Sequence, residues 1–219
     1  DNLERIRKKA KHDYDVKLFV TVYEENYIVD SKNHYTVTFF DTVEDKYDII
    51  ICNPPTEFYG KYSEEALTAG GVSLVKINAA FLFAKMAAKH LEEDGRLVII
   101  LPITYATAAE LSTLRKEMAK SLSINRIHLF IGKQKNLKRA VPLKKNFIIS
   151  YEKGEKSGSI QITTSTDAGK SITSLPPLPY DFVVDPENGM LTLPKSVEDT
   201  NIVRYISNFP ETLSSLGLK

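Results

Sequence analysis

A continuous apolar run that stops at two prolines constrains the fold of this chain more than any other feature. Residues 47–52 read YDIIIC, and Asn53, Pro54 and Pro55 follow directly. A strand that does not alternate between apolar and polar residues is usually buried on both faces, as in a parallel sheet. Proline has no N–H to donate and restricts the residue before it, so the strand has to end here. The segment predicts a central strand of a parallel sheet with a stiff corner at its carboxyl end.

Strand and helix patterns alternate around this run. Helices are predicted over 2–12, 74–92, 107–121 and 197–207, and strands over 16–23, 35–40, 96–101, 124–131, 146–152 and 159–164. Because residues 30–33 are a polar turn cluster, the first two strands are predicted to form a hairpin or to be neighbours. Thr107 and Glu110 have the spacing of a capping box, and Asp94-Gly95 suits the left-handed end of a helix. The alternation indicates a parallel α/β sheet.

Composition removes several classes of protein. The 219 residues carry 29 basic and 28 acidic side chains, a formal charge of +1, which excludes a wholly basic protein but not a local basic face. A single cysteine, Cys52, excludes a disulfide framework or a cysteine-rich zinc site and suits a reducing, cytoplasmic location. No apolar run is long enough to cross a bilayer, so no membrane is expected. The four histidines lack metal-ligand spacing, so no metal is expected.

The Asn-Pro-Pro corner predicts a specific chemistry at the end of its strand, where ligands of open parallel sheets bind. The rigid backbone allows the Asn53 amide and the Pro54 carbonyl to offer two hydrogen-bond acceptors to one planar amino group. An amine such as adenine N6 is a poor nucleophile because its lone pair is delocalised into the ring. Accepting both of its hydrogens favours a tetrahedral nitrogen whose lone pair can attack a methyl sulfonium, which is stabilisation of a transition state by pre-placed acceptors.

At this corner the sequence resembles the adenine-specific (N6) DNA methyltransferases, whose signature is Asn/Asp-Pro-Pro followed by an aromatic residue. The likeness to type II restriction–modification methylases continues over residues 78–91, 94–102, 114–115, 124–127, 130–149 and 160–193. The resemblance implies a Rossmann-like class I S-adenosylmethionine-dependent methyltransferase fold with a mostly parallel sheet. It also implies S-adenosylmethionine as cofactor, double-stranded DNA as substrate with the target adenine flipped out, and a cognate restriction nuclease encoded with the protein or fused to it. Four catalytic residues follow from it: Asn53, Pro54, Pro55 and Thr56.

Two departures from the family pattern qualify these expectations. Thr56 stands where the family has the aromatic residue that stacks on the flipped base, so Phe58 or Tyr59 would have to substitute. No glycine precedes Asn53, although the family binds its cofactor with a glycine-rich loop. We therefore expect an N-terminally truncated chain that lacks most of its cofactor site and is itself inactive. Asp41 is the candidate contact to the cofactor's adenine, with Glu24, Glu25 and a plain turn residue as alternatives.

A basic segment follows the predicted strand at 124–131, and no acidic residue occurs between Glu117 and Glu152. It is interpreted either as a DNA phosphate-binding loop or as a solvated surface loop. Its basic residues are Lys133, Lys135, Lys138, Arg139, Lys144 and Lys145. Residues 1–165 are predicted to be the incomplete catalytic domain, and residues 166–219 a connector and the start of a target-recognition region.

Two further functions remain open at the level of the sequence. Asn-Pro-Pro-aromatic also occurs in methyltransferases that act on RNA bases or on protein glutamine. A degenerate, Thr56-bearing chain would instead be a non-catalytic scaffold that binds DNA or a partner protein.

Overall fold

The computed structural model describes residues 2–19, 22, 24–30, 35–37, 42–44, 46–71, 73–132, 145–166 and 171–209. Its helices are α1 (Asn2–Tyr14), α2 (Tyr27–Asp30), α3 (Glu64–Thr68), α4 (Ala79–Lys89), α5 (Thr104–Thr107), α6 (Ser112–Met118), α7 (Tyr180–Val183) and α8 (Val197–Ser207), with a 3-10 helix over Ala109–Leu111. Its strands are β1 (Tyr35–Val37), β2 (Thr42–Glu44), β3 (Tyr47–Cys52), β4 (Phe58–Gly60), β5 (Lys76–Asn78), β6 (Leu91–Pro102), β7 (Leu122–Phe130), β8 (Asn146–Lys153), β9 (Ser159–Ser165), β10 (Ile172–Ser174) and β11 (Leu178–Pro179).

The main sheet has the order β10-β9-β7-β8-β6-β3, and β11 pairs with β9. Strands β3, β6, β7 and β9 run in one direction, since β3 is parallel to β6, β7 is parallel to β9, and β8 is antiparallel to both β6 and β7. The prediction of a mostly parallel α/β sheet is confirmed for these four strands. β8 departs from it, since it lies between β6 and β7 and is antiparallel to both.

The core lies on one face of this sheet. Along β6, alternate side chains are fully buried, among them Leu97, Ile99 and Leu101. Helix α4 contacts β6 and is buried on most of its sides. Burial of this apolar surface is the main force that fixes α4, and with it the segment that connects β3 to β6.

The exposure of β3 contradicts the sequence prediction. The strand exists where it was predicted, but Ile49 is 65% exposed and Ile51 is 78% exposed, while Ile50 and Cys52 pack against the core from the other face. Among the described residues β3 pairs with β6 alone, so it is the edge of the sheet and not a strand buried on both faces. An apolar run predicts strand propensity but not the number of neighbours that the strand has.

Several element boundaries were also predicted wrongly. The long helix over 74–92 is divided, because β5 occupies its start and the helix begins only after Asn78, whose side chain accepts a hydrogen bond from the Ala80 N–H. Asp94, rather than a helix-ending glycine, has the left-handed backbone, and it lies inside β6. Thr107 closes α5 instead of capping a helix, because Ala108 is extended and interrupts the helical backbone.

The expected strand over 16–23 is absent from residues 16–19 and 22, which have no regular structure; the rest of it lies outside the described residues. β1 pairs with β2 instead of with that segment. The predicted strands at 124–131, 146–152 and 159–164 and the helices at 2–12 and 197–207 are confirmed. Within the part of the chain that the structure describes, no helix has the length and apolar character needed to span a membrane.

Candidate active site at the carboxyl end of β3

The Asn-Pro-Pro corner lies at the end of the sheet that is formed by the carboxyl ends of the parallel strands β3 and β6. Cys52, the last residue of β3, is opposite Ile99 of β6. Pro54 is buried, whereas Asn53 and Pro55 are exposed. The corner is therefore fixed to the protein by one proline ring, while Asn53 lies at the surface.

Backbone hydrogen bonds hold the chain beyond the corner against the start of α4. The Ala79 N–H donates to the Glu57 carbonyl over 2.9 Å. Strand β4 then pairs with β5, so that Phe58 is opposite Asn78. Because Asn78 also caps α4, residues 57 and 58, which follow the corner, are tied to the first turn of that helix.

The structure distinguishes the two aromatic residues that could replace the family's stacking ring. The Tyr59 hydroxyl donates to Glu57 Oε1 over 2.6 Å, and its ring is half-buried. Burial, followed by the hydrogen bond to Glu57, raises the pKa of Tyr59 to about 12. Phe58 is 66% exposed, and Thr56 is exposed as well. Phe58 is therefore the ring with an open face, whereas the Tyr59 ring is held by its own contacts.

Cys52 does not supply a nucleophile to this site. Burial raises the pKa of its thiol to about 11, so the thiol stays protonated near neutral pH. The described part of the chain also contains no group of three or more His, Cys, Asp or Glu side chains that could hold a metal ion.

The basic segment is described only at its end. Lys145 is exposed, and its carbonyl accepts a hydrogen bond of 2.7 Å from the Ile103 N–H, just beyond β6. The segment therefore rejoins the sheet at the end where Asn53 lies. The strand that follows it, β8, is two strands from β3, or about 10 Å across the sheet. The other basic residues of the segment, Lys133, Lys135, Lys138, Arg139 and Lys144, lie outside the described residues, as does Asp41.

A buried polar cluster was not predicted from the sequence. It consists of Tyr105 of α5, Arg115 of α6 and Tyr151 of β8. Arg115 is only 3% exposed and donates from Nη1 to the carbonyls of Tyr105 and Ala108. The Tyr151 hydroxyl donates to the Tyr105 hydroxyl over 2.8 Å. One signal was present: with Leu111 and Met118, Arg115 has the spacing of a buried helical stripe, so its side chain had to lie on the inner face.

The fold and the corner together define a class of protein. The α/β sheet with four strands in one direction is the Rossmann-like fold of the class I S-adenosylmethionine-dependent methyltransferases, and the Asn-Pro-Pro corner lies at the carboxyl end of one of these strands. The family model of the Eco57I restriction-modification methylases matches residues 2–136. The chain belongs to that family.

Individual relatives agree with this assignment. The chain is 25% identical to the type II methyltransferase M.PstI of Providencia stuartii over 80% of its own length and 35% of that protein. It is 26% identical to the type II methyltransferase M.BsuBI of Bacillus subtilis over 63% of its own length and 28% of that protein. The chain therefore spans about a third of the length of the curated relatives it matches.

The similarity of this chain to solved structures is weaker. A type I restriction–modification methyltransferase subunit from Streptococcus thermophilus aligns with a TM-score of 0.42 and 14% identity, over 74% of this chain and 32% of that one. At this TM-score the match carries no argument, and the assignment rests on the family model and on the sheet.

Proposed function

We propose that the protein is the catalytic part of a DNA adenine-N6 methyltransferase of a restriction–modification system, with S-adenosylmethionine as methyl donor and double-stranded DNA as substrate. The observation that carries the proposal is the corner at the end of β3, where Pro54 is buried and Asn53 is exposed. Membership of the Eco57I restriction-modification methylase family supports it.

The acceptors at the corner would act on the amine. The Asn53 side-chain oxygen and the Pro54 carbonyl accept the two N6 hydrogens and favour a tetrahedral nitrogen with a localised lone pair. When bound, S-adenosylmethionine supplies an electrophilic methyl sulfonium. A base in a duplex is inaccessible to such a corner, so the adenine has to be flipped out of the stack.

The described residues do not include the family's glycine-rich loop, which binds the cofactor. No glycine precedes Asn53 in the sequence, and the candidate acid Asp41 lies outside the described part of the chain. The residues present fit the amine and not the cofactor, so no step is assigned to them on the cofactor side. We expect the isolated chain to be inactive.

Phe58 would provide the stacking face that Thr56 lacks. Its ring is mostly exposed, and β4 holds it beside the start of α4, three residues beyond Pro55. One stack between an aromatic ring and a base contributes about 1–3 kcal/mol. Lys145, which lies at the same end of the sheet as Asn53, and the basic segment that precedes it in the sequence would bind DNA phosphates.

The test is methyl transfer by the full-length polypeptide that contains this chain. Labelled S-adenosylmethionine and duplex DNA should yield N6-methyladenine, identified by mass spectrometry of the digested DNA. Asn53→Ala should abolish turnover and leave DNA affinity largely unchanged, because the carboxamide acts mainly in the transition state. The matched control is Asn201→Ala, which truncates an exposed asparagine on α8.

Other outcomes of this test would reject the proposal in distinct ways. Equal losses of turnover and affinity in Asn53→Ala would assign the residue a structural role. Transfer of the label to RNA or to protein glutamine would mean that DNA is not the substrate. DNA binding without any transfer by the full-length protein would favour the non-catalytic scaffold that Thr56 suggests.

A further inference from the structure

Helix α1 carries a concentration of positive charge that the proposed reaction does not use. Residues 2–12 contain five basic side chains and one acidic side chain, whereas the whole chain has a formal charge of +1. The basic ones are Arg5, Arg7, Lys8, Lys9 and Lys11. One short helix is therefore strongly basic in a chain that is otherwise slightly acidic.

Three of these charges share one face of the helix. Arg5, Lys8 and Lys9 have the spacing i, i+3 and i+4, and His12 continues the same stripe at i+7. Arg5 and Lys9 are one turn apart, or about 6 Å along the helix axis. All four side chains are exposed, and within residues 4–14 a single alanine is partly buried. The stripe is therefore open to solvent along its whole length.

Contacts within the protein do not account for this stripe. Among the described residues, the side chains of Arg5 and Lys9 have no ion-pair or hydrogen-bond partner, and Lys8 lies 3.9 Å from Glu4 in a pair that is mostly exposed. An exposed pair of this kind contributes little to stability. Like charges at i and i+4, as in Arg5 and Lys9, repel each other and weaken a helix slightly. The stripe therefore does not serve to stabilise α1, and an anionic partner would relieve its repulsion.

We propose that the face formed by Arg5, Lys8 and Lys9 binds phosphates of the DNA backbone, as a contact separate from the Asn-Pro-Pro corner. The inference rests on the proposed function in taking DNA as the partner. Duplex DNA carries one negative charge per about 1.7 Å of its axis, so the distance from Arg5 to Lys9 corresponds to about three phosphate charges. Contacts to phosphates position a protein on the duplex and do not read its sequence.

The opposite face of α1 favours DNA over a lipid surface. A helix that lies on a membrane has a face of large apolar residues next to its basic face. On α1 that face consists of Ile6, Ala10 and Tyr14, and the carboxylate of Asp13 lies among them. So small an apolar face, interrupted by a negative charge, would contribute little to binding an anionic membrane.

The test is the salt dependence of DNA binding by the full-length polypeptide that contains this chain, measured as the fluorescence anisotropy of a labelled duplex. Each phosphate contact contributes about 0.9 to the slope of log K against log salt concentration. Arg5→Gln combined with Lys9→Gln should therefore reduce the slope by about 1.8. The affinity should fall equally for duplexes of different sequence. Glutamine has a helix propensity close to that of arginine and lysine, so the circular dichroism should not change.

The matched control is Lys116→Gln combined with Lys120→Gln, which removes the same charge from two exposed lysines at the same spacing in another part of the chain. Its slope should equal that of the unaltered protein. Arg5→Lys combined with Lys9→Arg keeps both charges and should also retain the slope, because the contact depends on charge.

Three outcomes would overturn the inference. The first is an unchanged slope in the variant that lacks both charges on α1, and the second is an equal decrease in the control, which would make net charge the cause. The third is an unchanged slope together with a loss of binding to phosphatidylserine vesicles, which would assign this face to a lipid surface. Methyl transfer is measured separately. A protein that methylates DNA but shows an unchanged slope would refute this inference alone, and one that shows the reduced slope but transfers no methyl group would refute only the proposed function.

Discussion

Replacement of Phe58 by leucine separates a stacking role from a packing role. A fully buried phenylalanine side chain contributes about 1.5–3 kcal/mol. Since Phe58 is 66% exposed, its packing contributes about a third of that, or about 0.5–1 kcal/mol. Leucine retains most of this contact, so Phe58→Leu should lower the free energy of unfolding by less than about 1 kcal/mol.

The effect on a flipped adenine should be much larger. Loss of one aromatic stack costs about 1–3 kcal/mol, which corresponds to a decrease of about 5-fold to 150-fold in the flipping equilibrium. The assay is the fluorescence of 2-aminopurine at the target adenine in DNA bound to the full-length protein. The fluorescence gain that accompanies flipping should be mostly lost in Phe58→Leu.

The matched control is Tyr62→Leu, which removes an exposed aromatic ring that contacts Lys61. We expect its fluorescence to equal that of the unaltered protein. If Phe58→Leu and Tyr62→Leu give the same signal, Phe58 does not stack on the base. A loss of several kcal/mol of stability in Phe58→Leu would mean that its ring is packed more tightly than its exposure indicates.

Three further outcomes are expected. Asn78→Ala removes the acceptor for the Ala80 N–H at the start of α4 and should lower the free energy of unfolding by about 1 kcal/mol in urea, whereas Asn78→Ser should keep most of it. Hydrogen bonds from Arg96 and then Asn125 lower the pKa of Glu152 below its ordinary value of 4.5. Its contribution to stability is therefore present above pH 4.5 and lost as the pH falls through the lowered pKa, so Glu152→Gln should flatten the acid limb of stability against pH. Calorimetric titration of the isolated chain with S-adenosylmethionine should show weak or no binding, and a micromolar dissociation constant would mean that this chain contains a cofactor site.

Sequence patterns correctly predicted the helices and strands whose formation depends on residues close together in the chain. β7, β8 and β9 were predicted correctly because β-branched and aromatic runs favour strands. The start of α8 is likewise set locally, by the cap that Ser196 provides. The exposure of Ile49 and Ile51 was not predictable, since it depends on which strands lie beside β3.

In the sites, too, features that depend on neighbouring residues were predictable, and features that depend on residues distant in the chain were not. The Asn-Pro-Pro corner was predictable because its stiffness comes from the prolines themselves. The structure was needed to show that Tyr59 is held by a hydrogen bond to Glu57 while Phe58 is exposed. The buried hydrogen bonds of Arg115 reach Tyr105 and Asn188, the latter 73 residues away along the chain, and no local pattern connects residues at that distance.

The exposed edge of β3 has a consequence for handling this chain. Along its outer side β3 presents N–H and C=O groups that no described strand pairs, next to the exposed side chains of Ile49 and Ile51. Natural edge strands avoid association through charge, proline or a bulge. In β3 these are confined to the first residues, where Asp48 lies at a register shift between Tyr47 and Ile49, so residues 49–52 have none of them. At high concentration such an edge is a template for strands from other molecules, and the chain by itself will tend to form higher-order aggregates. Soluble preparations should therefore need either low concentration or a polypeptide that covers this strand.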